Sequence, residues 1–514
     1  MKLNYKRTLL VGFAFFLISL FWQAYDSTVP LLLTNKFGMS QGWSGVIMAI
    51  DNILALFMLP LFGSLSDKVN TRFGKRTPFI AIGTVVAAVA LIAVSFVDAA
   101  QLKNIEAVSA IDDPAALEVL YESQGDAQLL TPEGDAFVLS EIFTKEEFTA
   151  ITSKIDGTSE TNPDYTNYVA PARQAYAAQV TAENPGTLIT FVALLLIVLL
   201  AMATFRSPAV ALMPDVTIKP LRSKANAIIN LMGTGGGILV LVLGIVFGTS
   251  KVHNSLMPYT PFYGLIAGIM LVSLLIFLTT VREKKWSEEM QADSIRYGIE
   301  EEVEDEDGEK RGLDKAELKS LICILLSIAL WYFGYNAVTS KYAVYAANVL
   351  QKDYNTTKLI AQGAAIVTYL PAGMIASKIG RKKTIMGGVV MLAGAFGIAA
   401  CMRADSPTIV MNILFAMAGI GWANINVNSF PMVVEMCSGA DIGKYTGFYY
   451  TASMAAQIAT PMLSGVLMDK MGMTVLFPYV TVFVALAFVT MQFVKHGDSR
   501  PEAKKGLEAL DDAD

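Results

Sequence analysis

Charged residues are scarce in this sequence. They make up 16% of the 514 residues, whereas hydrophobic residues make up 54%; a soluble protein has about a quarter of its residues charged. The apolar residues fall in long blocks that Asp, Glu, Lys and Arg hardly enter. Apolar stretches of about 18 or more residues are typical of membrane-spanning helices. The composition therefore excludes an ordinary soluble domain and predicts a polytopic protein whose surroundings are a lipid bilayer.

Cysteine and histidine are also rare, with three and two residues respectively. The cysteines are far apart in the sequence, so they form neither a disulfide framework nor a metal-ligand spacing. Both histidines lie in or near predicted loops, which argues against a His-based catalytic triad. Basic residues interleaved with aromatics, as a nucleic-acid surface would need, are lacking as well. We therefore expect no enzyme activity, no catalytic residues, no metal, no cofactor and no nucleic-acid partner.

Twelve apolar segments are long enough to cross a hydrocarbon core of about 30 Å as helices. They cover residues 8–33, 43–64, 77–97, 187–212, 223–249, 260–281, 317–340, 355–378, 384–402, 406–432, 443–468 and 473–494. An insert at 98–186 and an acidic linker at 282–316 interrupt the series. The predicted organisation is all-α, with an N-terminal half over 1–281, the linker, a C-terminal half over 317–494 and a tail over 495–514.

Basic residues predict the orientation, because short cytoplasmic loops are enriched in Lys and Arg. The loop after the second segment is strongly basic, whereas the loops on the other side, to which we assign Lys36, Lys352 and Lys358, are poorer in bases. This pattern predicts a cytoplasmic (inner) membrane protein with both termini cytoplasmic and the insert outside.

The loop after the second segment also carries a motif, Gly63 to Arg76, of which residues 373–383 are a weaker copy six segments later. A glycine such as Gly63 lets two helices approach closely, and an acid at a helix end can bond loop arginines or a helix N-terminus. The motif resembles the signature loop of the major facilitator superfamily. The resemblance implies a secondary transporter with two six-helix pseudo-symmetric halves that works by alternating access. We assign its gate to Gly63, Asp67, Arg72, Gly74, Lys75 and Arg76, and to Asp215 and Glu435 at the inner ends of two later segments.

A narrower resemblance rests on residues 66–80 and on the Pro-gap-Ala-Leu-acid pattern over 207–215. Both are similar to segments of the glycoside–pentoside–hexuronide and sucrose-type sugar:cation symporters. This implies a small neutral sugar as substrate, a glycoside or disaccharide, and a coupling cation. Sodium-coupled relatives have two aspartates where this chain has Ala55 and Leu59, so we favour a proton. The aspartate that takes the proton in plant sucrose symporters is also missing from residues 199–206.

Ionisable residues within a span cost about 2.5–3.5 kcal/mol on insertion scales, which makes them functional candidates. Asp26 and Asp51 are the two candidates for proton coupling, since desolvation favours a neutral carboxyl group and both lie about 12 Å below the outer surface. Arg206 is a candidate for binding the sugar, but its depth of about 27 Å makes a direct pair with Asp26 awkward. The alternative for each is structural: a helix cap, an interhelical bond or a salt bridge.

Uncharged polar and aromatic residues complete the candidate sugar site. Hydroxyl groups need hydrogen-bonding partners and a sugar ring needs a flat face, and buried amides are costly unless they are used. The set comprises Trp22, Gln23, Tyr25, Asp26, Asn52, Arg206, Tyr332, Tyr335, Asn336, Asn424, Asn428 and Gln457. The alternative is hydrogen bonding between helices, which is common in membrane bundles.

The Gly-rich run at 233–237 lacks the Lys-Ser/Thr ending of a P-loop, so we expect transport to be driven by a gradient. The leading hypothesis is sugar import by proton symport, in a protein that functions as a monomer. One alternative is an exporter or carrier of another small solute, such as a drug. An alternative of another class is a non-transporting sensor, which the short tail and linker disfavour.

Overall fold

The computed structural model of the protein describes residues 3–155, 161–218, 221–250, 256–296, 314–434, 436 and 442–497. The acidic run of the linker and Glu435 lie outside these residues. Along the chain the elements are α1 (Tyr5–Asn35), α2 (Gln41–Lys68), α3 (Thr77–Asn104), α4 (Pro114–Gln124), β1 (Gln128–Leu130), β2 (Ala136–Val138), α5 (Leu139–Ile142), α6 (Lys145–Thr149), α7 (Ala170–Glu183), α8 (Gly186–Val216), α9 (Arg222–Phe247), α10 (Thr260–Thr280), α11 (Glu283–Arg296), α12 (Lys315–Tyr345), α13 (Tyr354–Ile379), α14 (Arg381–Ala399), α15 (Thr408–Val434), α16 (Ile442–Met471) and α17 (Leu476–Gln492).

Ten of the long helices in the described part are apolar enough to cross a membrane. The two other long helices that pack with them are α13 and α16. Their lower hydropathy has a local cause in α13, which carries Lys358 and Gln362 toward the interior of the bundle. The twelve helices correspond one by one to the twelve predicted segments.

Each half of the chain has its own apolar core. One cluster of buried residues runs from Val11 to Val281, and a second contains Leu31 and residues between Leu321 and Val494. Small residues allow close contact where the two halves meet: a Cβ at Gly465 would overlap the backbone of Gln41. The halves are therefore separate helical bundles joined along a seam.

The long helices alternate in direction, so the array has two faces. We call the face where α1 begins and α17 ends the terminal face, and the opposite one the insert face, because the segment between α3 and α8 lies there. The predicted start of the insert at residue 98 is too early. Helix α3 continues to Asn104 because Asp98 and Gln101 are buried and bonded to Lys36.

The insert is a small folded unit with its own buried cluster, the antiparallel β1–β2 hairpin and helices α4–α7. It contacts both halves. Gln174 donates to Asn35 at 3.1 Å in the N-terminal half. Glu133 pairs with Arg403 at 2.9 Å, and the carbonyl of Pro132 accepts from Thr474 at 3.3 Å, in the C-terminal half. The insert therefore spans the seam on its face.

Candidate functional site

A cavity of 560 Å³ lies between the two halves. This volume is within the range of about 300–1,000 Å³ that is usual for small-molecule sites. Helices α1, α8 and α9 of one half and α12, α13, α14 and α15 of the other line it. The side chains on its wall that can donate or accept hydrogen bonds are Ser19, Trp22, Gln23, Asp26, Arg206, Asn230, Thr234, Tyr335, Thr339, Lys358, Gln362, Tyr369 and Trp422.

Helix α1 supplies the densest polar patch of the wall. Trp22 and Asp26 are one turn apart, so both reach the cavity together with Gln23. Tyr25, a predicted sugar ligand, is instead buried and packs on Phe21 and Trp22, with ring centroids 5.9 and 5.6 Å apart. Its role in the structure is to hold the Trp22 ring at the wall.

Three charged side chains of the described residues line the cavity: Asp26, Arg206 and Lys358. Both cations act electrostatically on Asp26. The Arg206 guanidinium lies 5.7 Å from the centre of the Trp22 ring. Arg206 and Asp26 therefore lie on the same cavity wall, without a hydrogen bond or close ion pair between them among the described residues.

Asp51, the second predicted coupling acid, lies on α2, which is not one of the cavity helices. Its carboxylate accepts a hydrogen bond from Asn52 at 2.9 Å and interacts electrostatically with both Asp26 and Arg206. Asn52 is likewise absent from the wall. The structure thus separates the two predicted acids into one that faces the cavity and one behind it.

Aromatic rings of the C-terminal half form the opposite wall. Tyr335 and Trp422 stack with centroids 3.6 Å apart and planes 6° apart. Tyr332 meets Trp422 edge-on at 5.4 Å, and its hydroxyl lies 3.5 Å from that of Tyr449. Tyr332 therefore supports Trp422 from behind, whereas Tyr335 and Trp422 reach the cavity.

The predicted amides of the C-terminal half do not line this cavity. Asn424 and Asn428 donate to backbone carbonyls one turn earlier on their own helix, at 3.0 and 2.9 Å. The buried Nδ2 of Asn336 and Oδ1 of Asn424 have no partner in the part of the chain that the structure describes. Gln457 is half-buried on α16, which does not contribute to the wall.

Eight polar residues of the wall are missing from the predicted set: Ser19, Asn230, Thr234, Thr339, Lys358, Gln362, Tyr369 and Trp422. Lys358 was assigned to a loop, but it lies in the second turn of α13, whose N-terminus is capped by the Asp353 side chain. Gln362 follows one turn later on the same face. A helix-capping aspartate followed by polar residues at i and i+4 in an apolar segment was the signal that could have revealed both.

The halves are closed against each other at the insert face. Lys341 donates to the carbonyl of Gln41 at 2.6 Å, and Asp469 accepts from the backbone of Gln41 and Gly42 at 2.6 and 2.7 Å. At the same face, between the end of α9 and the start of α13, Tyr354 and Asn355 bond Thr249 at 2.8 and 2.9 Å. Each of these bonds joins a residue of the N-terminal half to a residue of the C-terminal half.

The residues of α2 are less buried toward the terminal face. Eight of its nine buried residues lie between Gln41 and Ala55, and Ser66 is the ninth. Leu61 and Leu65, nearer the terminal face, are 53% and 44% exposed. The bonds between the halves thus seal the cavity on the insert side, and α2 is less buried toward the terminal side.

The MFS_1-like family matches residues 15–479, most of the chain. The chain belongs to this family. It is a family of major facilitator transporters, the class that the signature motif indicated, and its members are not enzymes.

Solved structures agree with this fold. The chain is similar to the inward open xylose transporter XylE from E. coli, with a TM-score of 0.58, 17% identity and coverage of 99% of each chain. It is also similar to a mutant form of the nucleoside transporter NupG, with a TM-score of 0.56, 14% identity and coverage of 95% of this chain and 100% of that one. At these identities the similarity shows the fold alone.

A curated relative is the MFS-type transporter ppzB of Metarhizium majus, 28% identical over 124 residues, which are 24% of this chain and 26% of the relative. The chain therefore spans about a quarter of the length of that relative.

The family's signature loop is organised around Arg76, which is 5% exposed. Its guanidinium donates to Asp215 at 2.7 Å and to Asp67 at 2.5 Å, and it also bonds Ser66. Glu283 at the start of α11 accepts from the backbone of Lys75, Arg76 and Thr77 at 2.6–2.8 Å. These contacts tie α2, α3 and α8 of the N-terminal half to α11 of the linker.

A different structural constraint explains the need for glycine at each of two positions of the predicted gate. Gly74 has φ of +119°, where a side chain would be strained, and a Cβ there would overlap the Glu283 carboxylate. A Cβ at Gly63 would come within 2.8 Å of the Ser207 hydroxyl. The gate assignment itself stays a prediction, and Glu283 is a partner that the sequence analysis missed.

We predict that Arg76→Gln lowers the thermal stability of the detergent-solubilised protein. The change leaves two carboxylates without their donor, and a hydrogen bond to a charged group contributes about 1.5–3 kcal/mol. Arg72→Gln is the matched control, because the Arg72 guanidinium lies over the adjacent Phe73 ring at 4.5 Å. Equal melting temperatures for the two variants would contradict the role assigned to Arg76.

Proposed function

We propose that the protein imports a neutral sugar, a glycoside or disaccharide, together with a proton. The observation that carries the proposal is the chemistry of the cavity wall. The buried Nε1 of Trp22 and Oε1 of Gln362 have no partner among the described residues, and both residues line the cavity. A buried polar group left unpaired costs about 1–3 kcal/mol, so a hydroxyl-rich solute would bind there favourably.

Flat aromatic surface accompanies these polar groups. Trp22 on one wall and the Tyr335–Trp422 stack on the other match the apolar faces of a sugar ring. The resemblance of residues 66–80 to sucrose-type symporters points to the same substrate class, and one structural neighbour is a xylose transporter.

Asp26 is the acid we assign to proton coupling. It faces the cavity, and it makes no hydrogen bond or close ion pair with the described residues, so it is free to exchange a proton with water in the cavity. Asp51 lies behind the wall and already accepts from Asn52. Between the two predicted acids, the geometry therefore favours Asp26.

The direction of transport follows from the orientation of the protein in the membrane. The terminal face carries the basic residues of the signature loop, such as Arg72 and Lys75, and basic loops are typical of the cytoplasmic side. With that face cytoplasmic, the bonds at the insert face close the cavity to the outside. An inner-membrane protein in this state would release its sugar inward.

The test is uptake of labelled maltose, sucrose and melibiose into proteoliposomes, with and without an inward proton gradient. We expect accumulation that depends on the gradient. Asp26→Asn should lose gradient-driven accumulation and keep exchange of sugar across the membrane, because a permanently neutral side chain can bind sugar but cannot carry the proton. Asp51→Asn is the matched control, with accumulation retained. Gradient-independent uptake in the wild type would contradict symport.

A nucleoside is the second candidate substrate. The Tyr335–Trp422 stack would suit a planar base as well as a sugar ring, and a nucleoside transporter is among the similar structures. Labelled uridine and adenosine belong in the same uptake experiment. Uptake of a nucleoside without uptake of any sugar would move this candidate to first place.

A further inference from the structure

Four side chains form a ladder across the seam at the insert side of the cavity. Gln362 donates to Gln23 at 2.8 Å, Gln23 donates to Ser27 at 2.9 Å, and Lys358 lies 3.4 Å from the Ser27 hydroxyl. Lys358 and Gln362 are one turn apart on α13, as are Gln23 and Ser27 on α1. We call these four residues the cross-half ladder.

The Lys358 ammonium is weakly held within the ladder. An ammonium has three donors, and 3.4 Å is beyond the usual range of about 2.7–3.2 Å for an N–H···O bond. Its other near neighbour is the Tyr354 ring, with the nitrogen 5.7 Å from the ring centre. Neutral hydrogen bonds therefore do not explain why a lysine occupies this place.

The charges around the ladder divide into two pairs. Arg206 interacts most strongly with Asp51, which lies in the same half. Lys358 interacts with Asp26, which lies in the other half and is adjacent to Ser27. Of these four charges, only Lys358 lies in the C-terminal half, so the attraction between Lys358 and Asp26 is the one that draws the halves together. Among the described residues, the other titratable groups around Asp26 and the ladder are Tyr25 on α1, Tyr263 on α10, Tyr335 on α12, and Tyr354 and Tyr369 on α13.

The ladder continues the seal at the insert face. Beyond Lys358, toward the insert, Tyr354 and Asn355 bond Thr249, and Asp353 bonds Ser250. Opening the cavity to the insert face requires α13 to leave both α1 and the end of α9. Every such opening breaks the ladder.

We propose that Lys358 is a positioning residue that makes opening of the insert face depend on the charge of Asp26. When Asp26 is ionised, its attraction for Lys358 holds α13 on α1 and the insert face stays closed. When Asp26 is protonated, the ladder keeps only neutral bonds and the long Lys358–Ser27 contact, and the face opens. This inference deepens the proposed function, because it supplies the step that would couple a proton to access from outside.

The proposal predicts in which direction a change of pH shifts the opening of the insert face. Lowering the pH on the insert side protonates Asp26 and should favour the open insert face. Raising the pH should favour the closed face. Replacing Lys358 by glutamine removes the attraction and should leave the face open to a similar extent at low and high pH.

The test measures opening without any substrate. A single cysteine at Ala347, which is 6% exposed beside Asn35 at the seam, is placed in a chain without its native cysteines. Its reaction with a membrane-impermeant maleimide is followed at low and high pH. A chain that keeps only the exposed Cys401 corrects for the pH dependence of the reagent.

We expect Lys358→Gln to raise the corrected labelling rate at high pH about tenfold, within the range of about 5–150-fold that is usual for coupled sites, and to remove its pH dependence. Asp26→Asn should do the same. The double variant should add little to either single variant, because both remove one interaction. Lys358→Arg keeps the positive charge and should therefore keep slow, pH-dependent labelling. A difference between the arginine and glutamine variants would show that the effect comes from the charge and not from a loss of folding.

Lys352→Gln is the matched control, since Lys352 lies just before α13 and donates to the carbonyl of Ala404 at 3.0 Å. It should label like the wild type. Slow labelling in Lys358→Gln with the wild-type pH dependence would overturn the proposal. If the labelling results hold but no sugar is taken up, the proposed substrate is wrong and the ladder stands. If uptake is proton-driven but labelling is unchanged, the ladder alone fails.

Discussion

Gly45→Ala is expected to open the insert face and to slow transport strongly. Gly45 lies where α2 of one half touches α16 of the other, and a Cβ at this position would overlap the carbonyl oxygen of Pro461. The overlap is with backbone, so no side-chain rotation can relieve it. Inserting a methyl group into such a contact costs about 1–3 kcal/mol, which corresponds to a change of about 5–150-fold in the ratio of closed to open forms.

The measurement is labelling of the Ala347→Cys reporter from the insert face, together with exchange of labelled sugar. We expect faster labelling and slower exchange in Gly45→Ala. Gly235→Ala on α9 is the matched control, because a Cβ there meets no atom within 4 Å. Wild-type labelling and exchange in Gly45→Ala would show that the α2–α16 contact is not part of the closed seal.

The fold was predictable from the sequence because the membrane limits the possible structures. A spanning helix must satisfy its own backbone hydrogen bonds, so each long apolar block is read as one helix. Prediction failed at the helix ends. Helix α3 extends beyond its apolar block because Lys36 neutralises Asp98 within the fold. Lys36 lies 62 residues from Asp98 in the sequence.

The cavity was less predictable, because periodicity shows which residues share a helix face but not which faces meet. The motif around Trp22 and Asp26 was found because an acid next to aromatics is unusual in an apolar block. Asn424 and Asn428 also share a face, yet they bond their own helix backbone. Lys358 was overlooked because a lysine near a predicted helix end resembles a loop residue, and only its contact with Ser27 and that of Gln362 with Gln23 show that it is inside.

Lys36→Met is expected to destabilise the protein by about 3–5 kcal/mol, the cost of removing one partner from a buried ion pair. The Lys36 and Asp98 side chains both have 0% exposure. The ammonium donates to both carboxylate oxygens at 2.6 and 2.8 Å and to the carbonyl of Met257 at 2.7 Å. The pair thus joins α1, α3 and the segment before α10, and its loss leaves a buried carboxylate without a counter-charge.

Thermal unfolding in detergent checks this prediction. Lys36→Met should melt well below the wild type, whereas Lys352→Met, which removes a lysine at the same face, should change the melting temperature little. The double variant Lys36→Met/Asp98→Leu should recover most of the loss, because replacing a whole buried ion pair by apolar residues is often neutral. A double variant less stable than Lys36→Met would mean that Asp98 is needed for its bond with the Tyr259 backbone at 3.1 Å. The stability of this corner would then depend on the carboxylate as an acceptor rather than on the ion pair.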